Sequence, residues 1–158
     1  MKEIKETKFV KLITNELRET YKNNLSFIGS LKLRRVYFAF ETENSFLLIS
    51  EKFLEERVDK WKFIHHYHKD IVFLFINFLI HFLHKLKKDS FLIREIEATI
   101  KLSNTNLVNI IKSKYSDYNE GSGYKFHYVI QDLVVLSTII KKGKAYKLGK
   151  SFYFSIET

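Results

Sequence analysis

Six lysines near the end of the sequence have the side-chain chemistry that a polyanion requires. Between Tyr124 and Lys150 they are accompanied by one acid, Asp132, so six positive charges and one negative charge give this stretch +5 of the chain's formal +9. Lysines contact phosphates, whereas a glutamine can also hydrogen-bond to the edge of a base. The stretch therefore predicts a nucleic-acid-binding surface. The predicted contact residues are Lys125, His127, Tyr128, Gln131, Lys141, Lys142, Lys144, Lys147 and Lys150.

A helix followed by a β-hairpin must position these side chains. Apolar residues recur from Phe126 to Ile140 at steps of three and four, which places them on one face of a helix. After Ile140 the pattern changes to period two, in which Phe152 and Phe154 share one side. Gly143 and Gly149 interrupt this segment, as glycines do at turns.

The segment VIQDLVVLSTIIKKGKAYKLG, residues 129–149, resembles the end of the recognition helix and the start of the wing in winged helix-turn-helix DNA-binding domains. Residues 89–156 follow the element order of that family: helix, helix, loop, helix, hairpin. One departure is the loop at 116–123, about eight residues long where the family has three or four. The resemblance implies that helix 124–138 enters a groove of double-stranded DNA and that hairpin 141–150 lies along the backbone.

The N-terminal half predicts helices and one hairpin. Helices are expected at 3–23 and 51–66, and residues 31–50 favour a hairpin broken at 41–44, with a helix as the alternative. The apolar run at 71–83 predicts a buried helix, because thirteen residues span about 20 Å and a bilayer core needs about 30 Å. The predicted fold is α+β and mostly helical, with a helical domain containing one hairpin at 1–88 and a winged-helix domain at 89–158.

Other chemistry finds little support. The chain has no cysteine, which excludes disulfides, thiolate catalysis and cysteine-ligated zinc. Histidines occur at His65, His66 and His68 and again at His81 and His84, but their spacing does not bring the two groups together, so no metal site is predicted. Nucleophile, phosphate-loop and dinucleotide-binding motifs are absent. We therefore predict neither an enzyme nor a cofactor.

These expectations combine into a non-enzymatic DNA-binding protein of winged-helix type. Transcription regulation, replication, and an accessory role in a mobile element or phage defence all fit, and a homodimer would suit a two-fold DNA site. The alternative is a protein–protein interaction module or complex subunit that uses the winged helix as an adapter. The beginning of the sequence lacks the apolar core of a secretory signal, so we expect a cytoplasmic location without an integral membrane span. A biased genome composition would also explain the basic charge.

Overall fold

Two antiparallel sheets and four helices with defined bounds form the part of the chain that the structure describes. This computed structural model describes residues 11, 15, 17, 24–33, 36–50, 64–114, 126–149 and 151–157. The strands are β1 (Ser26–Lys32), β2 (Val36–Glu41), β3 (Ser45–Ser50), β4 (His65–His68), β5 (Phe91–Leu92), β6 (Lys144–Leu148) and β7 (Ser151–Ser155). The helices are α1 (Lys69–Leu86), α2 (Ile93–Ser103), α3 (Thr105–Lys114) and α4 (Phe126–Ile140).

Strands β1 to β4 form the large sheet, in which each strand pairs with the next along the chain. Alternation along a strand usually leaves one face polar. Here the runs 37–40 and 46–49 are buried at every position, because both faces of the sheet are covered. One face joins the hydrophobic cluster formed by the helices, and the other packs in a second cluster with Leu17 and Ile64. The large sheet therefore lies in the middle of the core.

The prediction of a mostly helical fold with an N-terminal helical region is wrong, because the described part of that region is dominated by this sheet. About half of the described residues are helical. The predicted hairpin is present as β2 and β3, and Thr42 closes it with a backbone N–H that donates to the Ser45 carbonyl over 2.9 Å. Strands β1 and β4 flank this hairpin on either side, and neither was predicted.

Each missed strand has a weak sequence pattern. In β1 the register shifts between Phe27 and Gly29, which interrupts the alternation. Strand β4 is only four residues long and buries a single one, Tyr67, so it is too short to show a period. The predicted helix 51–66 ends inside β4, and its residues 51–63 lie outside the described residues. Of the predicted helix 3–23, residues 11, 15 and 17 are described and helical.

Helix α1 confirms the apolar helix predicted at 71–83 and extends it at both ends. Its buried side follows the helical period. It ends at Lys87, which adopts the left-handed conformation and donates its backbone N–H to the His84 carbonyl over 3.2 Å. Among the described residues, no helix combines the length and apolar character that crossing a membrane requires.

Helix α4 lies against both sheets. It contacts β1, β2 and β3 of the large sheet, β6 and β7 of the small one, and helices α1 and α2. Every residue from Asp132 to Thr138 is buried. Near its end α4 meets β1 so closely that a Cβ atom on Gly29 would lie 2.8 Å from Ile139 Cγ2. One hydrophobic cluster thus includes residues from both sides of position 89, where the sequence predicts a domain boundary.

Along the chain, the C-terminal elements follow in the order β5, α2, α3, α4, β6 and β7. In the small sheet, β7 lies between β5 and β6. Helices α2 and α3 are separated by Asn104 alone. Its side-chain Oδ1 accepts a hydrogen bond of 3.1 Å from the Leu107 N–H, which caps α3. The second helix of the predicted order is present as α3 and the predicted hairpin as β6 and β7, whereas the predicted loop at 116–123 lies outside the described residues. The winged-helix assignment stays a prediction.

Candidate nucleic-acid interface

Helix α4 ends in a closed cap where the lysine-rich hairpin begins. The Gly143 N–H donates to the Thr138 carbonyl over 2.8 Å, and the Lys142 N–H donates to the Ile139 carbonyl over 3.3 Å. This pair of bonds is a Schellman motif, which satisfies carbonyl groups that a helix end would otherwise leave unpaired. The motif requires one residue in the left-handed region, and Lys142 takes it with a φ of 53°.

Glycine usually occupies the left-handed position, but here it is needed one residue later. A Cβ atom on Gly143 would lie 2.2 Å from the Ser155 carbonyl oxygen, a backbone atom of β7 that cannot move aside cheaply. Lys142 therefore holds the positive φ at a cost of about 1 kcal/mol relative to glycine. Lys87 at the end of α1 has a φ of 51°, so both non-glycine residues with positive φ in the described part of the chain are lysines.

The hairpin lysines form a cationic surface. Lys141, Lys142 and Lys144 are exposed, and they form no ion pair with any carboxylate among the described residues. Lys147 is less exposed because its Nζ lies 5.0 Å from the centroid of the Phe152 ring. Lys150 lies outside the described residues. Exposed ammonium groups without a partner attract phosphates of a polyanion.

The two faces of the small sheet differ in chemistry. Opposite residues of antiparallel strands share a face, and Phe154, opposite Ala145, is buried in the core. The other face, which we call the outer face, carries Lys144, Tyr146 and Leu148 from β6. Tyr146 is 55% exposed and Leu148 is 66% exposed. The outer face is therefore an apolar and aromatic surface beside the lysines.

The end of α1 brings further basic side chains to the foot of the hairpin. Lys87 and Lys88 line a cavity of about 570 Å³ together with Ser155 of β7. Ser155 is the cross-strand neighbour of Lys144, so the basic surface continues from the hairpin to α1. These two lysines are not among the predicted contact residues, although the run KLKK at 85–88 is a signal for them in the sequence.

Acidic groups limit the positive charge of this cavity. Asp89 and Glu157 also line it, and Lys88 Nζ lies 3.9 Å from Glu95 Oε2. Lys87, by contrast, has no carboxylate partner within the residues that the structure describes. Among the lysines at this end of α1, Lys87 is therefore the better candidate for a phosphate contact.

The remaining predicted contact residues lie at the opposite end of α4. At a rise of 1.5 Å per residue, His127 is about 20 Å along the helix axis from Lys141. Tyr128 is 44% exposed, whereas Gln131 Nε2 lies 3.4 Å from the Tyr37 hydroxyl. Lys125 lies outside the described residues. The structure thus divides the predicted contact residues into two groups instead of joining them in one site.

His127 is held by an acidic residue of α2. Its Nδ1 lies 2.8 Å from Glu97 Oε2, and Lys101 Nζ lies 3.1 Å from Glu97 Oε1. Burial raises the pKa of the Glu97 carboxyl, but the hydrogen bonds from His127 and Lys101 outweigh burial and hold this pKa below its ordinary value. Glu97 therefore stays ionised and neutralises part of the positive charge at this end of α4.

In comparisons with known proteins, no protein-family model, no curated protein and no solved structure matches the chain.

Helix α3 adds a polar face that the sequence analysis did not single out. Asn106, Asn109 and Lys112 are exposed, and they follow each other at steps of three. Asparagine amides can hydrogen-bond to the base edge of adenine. Lys112 Nζ lies 6.0 Å from the centroid of the Phe126 ring, so this face adjoins the beginning of α4. The spacing of the two asparagines was the available sequence signal.

A buried polar cluster joins β4 to α4. The Asp132 carboxylate accepts a hydrogen bond from the Tyr67 hydroxyl, and His65 Nδ1 lies 2.8 Å from the same Oδ2 atom. Asp132 is 5% exposed, so these partners offset the cost of burying its charge. No group of three His, Cys, Asp or Glu residues within the described ranges is arranged to hold a metal ion. The cluster therefore accounts for His65 as a structural residue.

Proposed function

We propose that this chain is a non-enzymatic DNA-binding protein that uses its C-terminal hairpin to contact the phosphates of double-stranded DNA. The observation that carries the proposal is the set of exposed lysines on the hairpin, which have no described acidic partner. Lys87 at the end of α1 extends this surface. We propose a cytoplasmic location, as expected from the sequence.

The two groups of contact residues suit a duplex better than a small anion. Their separation of about 20 Å along α4 corresponds to about six base pairs of a duplex at 3.4 Å per pair. The part of α4 that can reach a groove is its beginning, because Asp132 to Thr138 is buried. The exposed side of α3 supplies Asn106 and Asn109 next to it, so base contacts would come from α3 and the first turn of α4.

The positive φ of Lys142 supports the same proposal. Strain is maintained where the side chain has a use that glycine could not meet. At both left-handed positions that a residue other than glycine occupies in the described part of the chain, the residue is a lysine on the candidate interface, Lys87 or Lys142. A charge placed there at the expense of stability is expected if the charge binds a ligand.

A titration by fluorescence anisotropy tests the proposal. A duplex of about 25 base pairs would be titrated at about 50 mM and about 200 mM salt with the wild type, Lys144→Glu and a control, Lys11→Glu. Lys11 is exposed and precedes Leu17, which packs on the face of the large sheet opposite α4. The two variants change the net charge equally, so only a local role of the hairpin distinguishes them.

We expect micromolar or tighter binding at the lower salt concentration, a loss of about tenfold or more at the higher one, and a much larger loss in Lys144→Glu than in Lys11→Glu. Equal losses in the two variants would indicate attraction to net charge alone and would contradict a hairpin interface. Absence of binding at the lower salt concentration would reject DNA binding.

A protein–protein interaction module is the second candidate, and one observation favours it. Helix α1 leaves Phe73 46% exposed and Leu74 43% exposed on adjacent positions. Exposed apolar side chains that are grouped on one surface mark interfaces more often than isolated ones. Association through such a surface, with a second copy or another protein, would change little between the two salt concentrations.

A further inference from the structure

We propose that the outer face of the small sheet binds an unpaired nucleobase, which stacks on the ring of Tyr146. This inference rests on the proposed function and narrows its target to DNA or RNA in which a duplex adjoins an unpaired strand. The hairpin would then contact phosphates through its lysines and a base through its aromatic side chains.

The arrangement of two tyrosines carries the inference. The rings of Tyr146 and Tyr153 are stacked, with centroids 5.2 Å apart and planes only 12° apart. Strand β6 lies at one edge of the small sheet, and Tyr146 is 55% exposed. Planar bases stack on aromatic side chains regardless of base identity. Tyr146 thus presents an accessible ring to which a base would add as the next member of the stack.

A lysine that can contact a phosphate lies close to Tyr146. Lys144 is on the same face of β6, two residues before Tyr146, which corresponds to about 7 Å along a strand. From Lys141 to Ile156 the sequence contains no acidic residue. An aromatic platform beside a positively charged backbone track is the combination with which proteins bind single strands.

A purely structural role accounts for only part of this arrangement. Cross-strand aromatic pairs stabilise hairpins without any ligand, and the pair of Tyr146 and Tyr153 does so here. That role does not require Leu148, 66% exposed, on the same outer face. Exposed apolar groups grouped on the tip of a lysine-rich hairpin indicate a surface that contacts something planar or apolar as well as anionic.

The experiment compares four nucleic acids by fluorescence anisotropy with the full chain. They share one duplex, which is blunt, or carries a single-stranded thymine overhang, a uracil RNA overhang, or an overhang of equal length with abasic sites. The abasic overhang keeps the phosphates and removes the bases. The proteins are the wild type, Tyr146→Phe, Tyr146→Ala, and Phe73→Ala. The last removes an exposed ring from α1 that lies about 20 Å along the helix from Lys87 at the foot of the hairpin.

We expect the wild type to bind the base-bearing overhangs about tenfold more tightly than the abasic one. Tyr146→Phe should keep this preference, Tyr146→Ala should lose it while binding the blunt duplex as before, and Phe73→Ala should change nothing. The thymine and uracil arms show whether the natural strand is DNA or RNA. Circular dichroism confirms that each variant is folded. If Tyr146→Ala is not, Tyr146→Val replaces it, because valine favours a strand and has no ring.

Two results separate failure of this inference from failure of the proposed function. Equal affinity for base-bearing and abasic overhangs, with the blunt duplex still bound, would overturn the stacking site and leave duplex binding intact. If the protein bound the duplexes with base-bearing overhangs but had no affinity for the blunt duplex, the result would support stacking and reject the duplex target. No binding to any of the four would reject both.

Discussion

The two sheets of this protein have the same antiparallel pairing but differ in how many of their faces are buried. The large sheet is buried on both faces, and its aromatic residues Phe38 and Phe40 are 1% and 0% exposed. The small sheet buries only the face that contains Phe154 and leaves Tyr146 and Leu148 in solvent. The large sheet therefore contributes core area, whereas the small sheet uses its core contacts to hold a free face in place. The free face is where we place binding.

The largest effect expected from this contrast concerns stability. Phe40→Ala should lower the free energy of unfolding by about 3–5 kcal/mol, because it removes a fully buried ring and leaves a cavity. Tyr146→Ala should lower it by less than about 1 kcal/mol, since only a cross-strand pair is lost. Urea denaturation followed by circular dichroism measures both. If Tyr146→Ala cost as much as Phe40→Ala, the outer face would be structural and the contrast between the sheets would disappear.

A smaller effect, of opposite sign for stability and binding, is expected at the junction of α4 and the hairpin. Lys142→Gly should raise the free energy of unfolding by about 0.5–1 kcal/mol, because glycine tolerates the positive φ. The same change should weaken DNA binding by removing a phosphate contact. Lys141→Gly is the matched control: it removes an equal charge at a residue without positive φ, and it should destabilise the protein. A Lys142→Gly variant that is less stable than the wild type would contradict the strain argument.

The smallest effect concerns pH, and it should separate the sheets once more. Partial desolvation by the surrounding protein lowers the pKa of His66 on β4, and the neighbouring charges of His65 and His68 lower it further. The unfolded chain therefore binds this proton first, so the large sheet loses stability as the pH falls below about 6.5, the unfolded value. His66→Gln should reduce the drop in melting temperature between about pH 7.5 and about pH 5. A drop unchanged in His66→Gln would exclude His66 as its source.

Local patterns were sufficient to predict several elements. The alternation of Val36, Phe38 and Phe40 and the polar break at 41–44 predict the β2–β3 hairpin, and the apolar run of α1 predicts a helix. The side assignment of Phe152 and Phe154 in β7 is also confirmed by their pairing with β6 residues of the inner face. Each of these signals lies within one short segment and does not depend on a distant partner.

The architecture depended on contacts that no local pattern reports. The hydrogen bonds of Asp132 to His65 and Tyr67 join residues more than 60 positions apart. They fix β4 against α4, yet HHYH by itself favours no element. In α4, Asp132 to Thr138 is buried on all sides, and a helix that is apolar nearly all round is typical of an interior position. The resemblance to a recognition helix predicted DNA contacts for α4, and it did not indicate that the middle of this helix is buried.

The hairpin lysines of the candidate site could be predicted from the sequence, whereas the place of Lys87 and Asn109 in it could not. The hairpin lysines are close in the chain, so their proximity in space follows from a short hairpin. Lys87 and Asn109 come from other parts of the chain: only the cavity that Lys87 shares with Ser155, and the approach of Lys112 on α3 to the Phe126 ring, relate them to the predicted contact residues. Tyr146 lay within the resemblance, but its exposure on an edge strand required the strand order.

The position of α4 between the two sheets has a consequence for how the chain is made. The last strand of the large sheet ends at His68. Helix α4, which packs on the face of this sheet that joins the main hydrophobic cluster, ends only at Ile140. At about 5–20 residues per second, a ribosome needs about 4–14 seconds to add the residues between them. During that interval the nascent sheet exposes apolar side chains to solvent. The first half of this protein therefore cannot bury this face of its sheet until the second half has been synthesised. During that interval its strands are candidates for chaperone binding.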